Sequence, residues 1–138
     1  MELRFTVYGA PRTKKNSQQL IHVPIPGKNK SRTIPIPSAD YKKYSEDFMW
    51  QIPSFLKKKI DKPINLKCVY YMPTRRRVDL TNLNEAVHDI LVDSNVLADD
   101  NRDVIASTDG CRVFYDKLNP RVEITISDYD GDYEQWSK

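Results

Sequence analysis

Hydrophobic and polar positions alternate from the start of the chain. Leu3, Phe5 and Val7 share one face of residues 2–8, which predicts a strand. Residues 9–17 are rich in breakers and amines and predict a loop. Short strands are predicted at 19–23 and 33–36. They flank a basic, proline-bounded segment, 24–32, that reads as a mobile arm or hairpin tip confined to a sheet edge. The period then changes to helical. Ser38 is a fair N-cap, and Tyr41, Tyr44 and Phe48 form a stripe with Trp50 at its margin. Pro53 ends that helix, and 55–60 predicts a second helical piece. Residues 63–72 alternate again, with Ile64, Leu66, Cys68 and Tyr70 on the apolar side. From Asp79 to about Val92 the apolar positions Leu80, Leu83, Val87, Ile90 and Leu91 recur at helical spacing. Strands follow at 104–106, 112–115 and 121–127, with Asn119-Pro120 as the turn between the last two.

At 138 residues the chain fits one domain with one core. No apolar run approaches the roughly 18 residues a membrane helix needs. The N-terminus lacks a signal-peptide core, so a cytoplasmic protein without membrane contact is expected. Two cysteines, Cys68 and Cys111, do not make a disulfide framework, and Cys68 reads as core. Two histidines, His22 and His88, leave no basis for a structural zinc site.

The net charge of +3 conceals an asymmetry. Residues 1–78 carry 17 Lys/Arg against 5 Asp/Glu, and residues 79–138 carry 5 against 14. The basic half suits a polyanionic partner, and the acidic half would repel that partner unless cations occupy it. The two signs meet at residues 72–100. Arg75, Arg76 and Arg77 follow a strand and precede the 79–92 helix, and a phosphate clamp is their favoured role. The carboxylates Asp79, Glu85, Asp89, Asp99 and Asp100 follow at once. Clustered carboxylates bind magnesium, which makes phosphates reactive, so the segment suggests a metal-dependent enzyme cutting a nucleic-acid backbone.

Each acid also has a structural reading. Asp79 is a helix N-cap expected to accept the N–H of Asn82. Asn82, Glu85 and Asp89 form a polar ridge opposite the buried face, with Asp93 beside them, and their mutual repulsion needs a cation, an arginine or solvation. Asp99-Asp100 is a solvated turn that spacing alone does not bring to a metal. Asp109-Gly110 is foremost a hairpin turn, and Asp109 is a spare carboxylate.

The segment resembles the RusA-type Holliday junction resolvases. Met72-Pro73, Arg75-Arg76-Arg77, Asp79-Leu80-Thr81-Asn82-Leu83, Ala86, Asp89, Leu91 and Asp99-Asp100 align with that family's pattern without gaps. Weaker agreement extends to the early strand, the basic loop with Asn16, the first helix and the closing strands. The resemblance implies an α/β (α+β) fold, a small mixed β-sheet packed by two main helices. It implies one nuclease domain over 1–127, and the acidic segment 128–138 is expected to be a flexible tail. It also implies a homodimer that binds four-way DNA junctions and makes paired Mg²⁺-dependent nicks, with Mn²⁺ as a substitute, in recombination or repair. A phage or prophage origin is typical of the family. Asp79 takes the place of the family's first essential aspartate, Asp100 of the last, and Asp99 is its neighbour. Lys14, Lys15 and Asn16 join the three arginines as expected DNA-binding residues.

Two departures matter. Thr81 stands where the family has an aspartate, and Glu85 stands where it has a lysine. They are one helical turn apart, so Glu85 is expected to restore the missing carboxylate, making Asp79, Glu85 and Asp100 the catalytic set and Asp99 a further metal ligand. Asp109 is a second candidate for that replacement. The alternative is a broken site in a protein that binds junctions without cutting. An RNA-directed phosphodiesterase and a structural adaptor are further rivals. Tyr41, Tyr44, Phe48 and Trp50 are offered as dimer surface, with core packing the favoured use.

Overall fold

The computed structural model describes residues 1–14 and 18–131; for 18–21 and 33–37 only the backbone is described. Strand β1 (Glu2–Tyr8) pairs antiparallel with β7 (Arg121–Asp128), which pairs antiparallel with β4 (Ile64–Met72). The far edge of β4 is shared by two short parallel strands, β5 (Ile105–Ser107) and β6 (Arg112–Tyr115). A parallel neighbour requires a crossover, and α2 (Leu80–Asp93) supplies it between β4 and β5. The α+β single domain with a mixed sheet and two main helices is therefore as expected. Strands β2 (Gln18–Pro24) and β3 (Ser31–Pro37) form a separate antiparallel hairpin, which satisfies the edge restriction that their prolines impose.

Registers fix which side chains are inside. Val7 lies opposite Val122, Ile124 opposite Cys68, and Ile126 opposite Leu66, so one face of the sheet is a continuous apolar layer. Helices α1 (Ala39–Gln51) and α2 add Tyr44 and Phe48, and Leu83, Val87, Ile90 and Leu91, to the same core. Leu80 is only partly buried, because the helix start lies at the rim. Cys68 and Cys111 are free thiols in this core: the Cys111 Sγ accepts the N–H of Cys68 at 3.3 Å and donates to the Leu66 carbonyl.

Two expectations are corrected, those for 55–60 and for Asp109-Gly110. The helical piece at 55–60 is a single 3₁₀ turn, Ser54–Leu56, after which Ile60 bridges to Leu97. The lysines at 57–59 are exposed there; Lys57 caps the turn, and Lys59 has a left-handed backbone (φ 48°) just before the bridge. Asp109-Gly110 does not turn a hairpin. Gly110, at φ 92°, redirects the chain between two strands that both lie along β4. Tyr41, Tyr44 and Phe48 pack into the core, their favoured use, whereas Trp50 is 87% exposed because it falls off their stripe. Asp128 belongs to β7, where it binds the N-terminal amine at 2.6 Å and Lys62 at 2.8 Å. Positions 132–138 of the expected tail lie outside the described residues.

Candidate active site

One unit, β4 followed by a loop and α2, positions most of the predicted residues. The loop 73–79 leaves the C-terminal end of β4 beside the C-terminal end of β6. The N–H of Asp116 donates to the Met72 carbonyl at 2.9 Å, extending that pairing by one residue. Arg75, Arg76 and Arg77 are all exposed. Among the described residues none of the three makes an ion pair with a carboxylate. Arg75 instead lies over the ring of Tyr115, 4.2 Å from its centroid. The guanidiniums therefore keep their hydrogen-bond donors for an external anion.

Asp79 caps α2, as its position predicts. The donor is the Thr81 N–H, 2.9 Å from Oδ1, and not that of Asn82. Both are orphan donors of a helix start, and the extended backbone of Asp79 (φ −89°, ψ 119°) brings its carboxylate to the nearer one. The second carboxylate oxygen has no protein partner among the described residues.

An open cleft of about 370 Å³ runs along the first half of α2. Thr81, Asn84, Glu85 and His88 line it from the helix, and Asp100 and Thr108 line it from the segment that returns to the sheet. Thr81, Glu85 and His88 follow the i, i+4, i+7 spacing of one helical ridge. Glu85 and Asp100 therefore face one space, together with Thr81. Asp79, Asp99 and Asp109 are not among the lining residues. Asp99 is exposed, and its Oδ1 accepts the Asp100 N–H at 2.7 Å, which shapes the turn that presents Asp100. The Asp109 backbone is held by Asn65 through bonds of 2.9 and 3.2 Å, and its neighbour Thr108 reaches the cleft.

The ridge expected from sequence is thus rotated. Glu85 lies on it, but Asp89 turns toward the N-terminal loop, where Lys14 binds its Oδ2 at 3.3 Å. Lys14 is half-exposed and already paired, so any contact with DNA must compete with Asp89. Lys15 and Asn16 lie outside the described residues. The acids Asp89, Asp93 and Glu85 create a negative field around Tyr41. After burial, the larger cause, they help push its phenol up to about 12.

Sequence reasoning missed Asn84, His88 and Thr108. The first two could have been found from the helical spacing about Thr81, but a polar residue among exposed neighbours carries no sign of which flank is lined. Asn84 is anchored: Tyr70, buried in β4, donates its hydroxyl to Asn84 Oδ1 at 2.8 Å. His88 Nε2 is buried and has no partner among the described residues. Burial lowers its pKa below the ordinary imidazole value, while the carboxylates of Asp100 and Asp89 act in the opposite direction.

Among the described residues no three His, Cys, Asp or Glu side chains converge closely enough to cage a metal ion. The cleft offers two carboxylates with hydroxyl and amide oxygens at its walls. Magnesium binds through one or two carboxylates together with water and substrate phosphates, whereas structural zinc needs four closed N or S ligands. The donor set fits Mg²⁺ or Mn²⁺ in an open, phosphate-completed site and does not fit structural zinc.

The model of a protein family described as Endodeoxyribonuclease RusA matches residues 10–127. That span includes the arginine loop, α2, the cleft and the closing strands. No curated protein matches the sequence. Among the described residues no helix is long and apolar enough to cross a membrane.

Proposed function

The chain belongs to the RusA endodeoxyribonuclease family, and on that premise we propose that it is a magnesium-dependent nuclease that resolves four-way DNA junctions by paired nicks. The observation that carries this reading is the position of Glu85. It stands one helical turn from Thr81 and shares a cleft with Asp100, so it supplies a carboxylate where the family pattern has lost one. Glu85 and Asp100 would hold the cation, with the free oxygen of Asp79, at the helix start but outside the cleft lining, as an outer partner. The chemistry supplied by bound Mg²⁺, with Mn²⁺ as a substitute, is polarisation of the scissile phosphate and activation of the attacking water. Arg75, Arg76 and Arg77 bind flanking phosphates, and Asp99 shapes the loop that carries Asp100. The products carry a 5′ phosphate.

Two symmetric nicks fit a two-fold protein, so the active species is a homodimer. The place of action is the cytoplasm of a cell in which a phage or prophage recombines or repairs its DNA. A second reading, junction binding without cleavage, draws on Thr81 and on the absence of three converging donors among the described residues. One gel assay separates the readings. Four-way DNA, linear duplex and RNA are incubated with the protein, with and without Mg²⁺. Mg²⁺-dependent nicking of the four-way DNA in preference to the others supports the proposal. Binding with no product at any Mg²⁺ concentration supports the second reading, and preferential RNA cleavage refutes both.

A further inference from the structure

The corner between β6 and β7 carries a surface that the cleft chemistry does not use. Within five residues it presents Phe114 at 51% exposure, Tyr115 at 40% and Leu118 at 94%. Exposed apolar residues are ordinary when scattered singly. Here Phe114 and Tyr115 are adjacent at the end of β6, on opposite faces of the strand, and Leu118 lies three residues on in a tight corner that the fold holds by a dedicated network. Asp116 Oδ1 accepts the Asn119 N–H at 3.2 Å, while Arg121 donates to Asp116 Oδ2 and to the Asn119 carbonyl, each at 2.9 Å. Arg121 is itself fixed by Glu123 at 2.9 Å and by stacking 3.8 Å over Tyr71, whose ring packs on Phe114. Leu118 therefore stands at the tip of a braced turn.

The corner lies at the C-terminal ends of β4 and β6, the end from which the arginine loop and α2 depart. Arg75 over Tyr115 joins the two features directly. Apolar tips beside exposed guanidiniums complement a ligand with charged phosphates and flat apolar faces. In a stacked duplex the base faces are covered, and they become accessible where stacking is interrupted. We infer that the 114–118 corner is a base-contacting wedge, with Leu118 inserting against unstacked bases at the branch point of the DNA. This inference rests on the proposed junction binding and adds to it a site that phosphate contacts cannot supply.

The test uses a four-way junction with 2-aminopurine beside the branch point, in buffer without Mg²⁺ so that no cleavage occurs. Saturating wild-type protein is expected to raise the fluorescence several-fold, and Leu118→Met is expected to retain most of the rise. Leu118→Ser is expected to lose it while still shifting the junction in a gel. Leu118 is almost fully exposed, so its replacement leaves the core intact. Junction binding with an undiminished rise in Leu118→Ser overturns the wedge alone. No selective junction binding by the wild type overturns the functional reading and the wedge together. If light scattering finds a smaller particle for Leu118→Ser than for wild type, the contact is between two copies of the chain, and the wedge is overturned.

Discussion

Arg75 stacks on Tyr115, its guanidinium carbon 4.2 Å above the ring centroid, and so ties the arginine loop to the edge strand of the sheet. The contact leaves the edge of the guanidinium open, so one residue is both anchored and available to a phosphate. Arg75→Ala is expected to weaken binding to four-way DNA regardless of sequence and to reduce the slope of log K against log salt by about 1. Tyr115→Phe preserves the ring and should bind as wild type, whereas Tyr115→Ala should behave like a mild Arg75 variant. Fluorescence anisotropy titrations at several salt concentrations measure this. An unchanged slope for Arg75→Ala would remove that arginine from the DNA contact.

Asp79 has one observed role and one proposed role, and the two are separable. Its Oδ1 caps α2 through the Thr81 N–H, which an asparagine oxygen can also do. Asp79→Asn should therefore change stability by less than about 0.5 kcal/mol, while Asp79→Ala costs about 1 kcal/mol. Both variants lose the charged oxygen proposed as an outer partner of the cation, so nicking should fall in both. Urea denaturation and junction nicking, run on the same preparations, compare the two effects. Normal nicking by Asp79→Asn would leave Asp79 as a cap only.

His88 gives a pH signature. Burial lowers its pKa from the ordinary 6.5, so the unfolded chain takes up a proton at a higher pH than the folded one. Stability from this residue is complete above about 6.5 and falls as pH drops toward the lowered folded value. In metal-free protein, His88→Gln should flatten this part of the stability profile. Denaturation midpoints between about pH 5 and 8 measure the slope, and an equally steep fall in the variant would assign it to other groups.

The core is testable at α2. Leu83 is fully buried between the helix and the sheet, and Leu83→Ala should cost about 2–5 kcal/mol of unfolding free energy. A loss below about 1 kcal/mol would mean that the helix packs less tightly than the structure describes.

Much of this architecture was legible in the sequence because burial imposes periodicity. Val122, Ile124 and Ile126 alternate because their strand has one buried face, and Leu83, Val87, Ile90 and Leu91 repeat because their helix has one. The failures lie where periodicity says nothing. The 55–60 segment has apolar residues at helical spacing, but Leu56 and Ile60 enter the core from a 3₁₀ turn and an isolated bridge. Gly110 marks a change of direction without revealing that both flanking strands seek the same edge of β4. At the site, the pairing of Glu85 with Asp100 depended on where a loop folds back, and Asp89 could not be assigned to Lys14 because 75 residues separate them.

The central claim is that Glu85 replaces the carboxylate missing at Thr81. Its most direct test is the rate of Mg²⁺-dependent junction nicking by wild type, Glu85→Ala, and Glu85→Ala combined with Thr81→Asp. Loss of even an outer-shell partner costs a metal site roughly 10- to 100-fold, so Glu85→Ala should fall by at least about 100-fold. The double variant should recover most of the rate, because the new aspartate points into the same cleft one turn earlier. Wild-type nicking by Glu85→Ala would contradict the account.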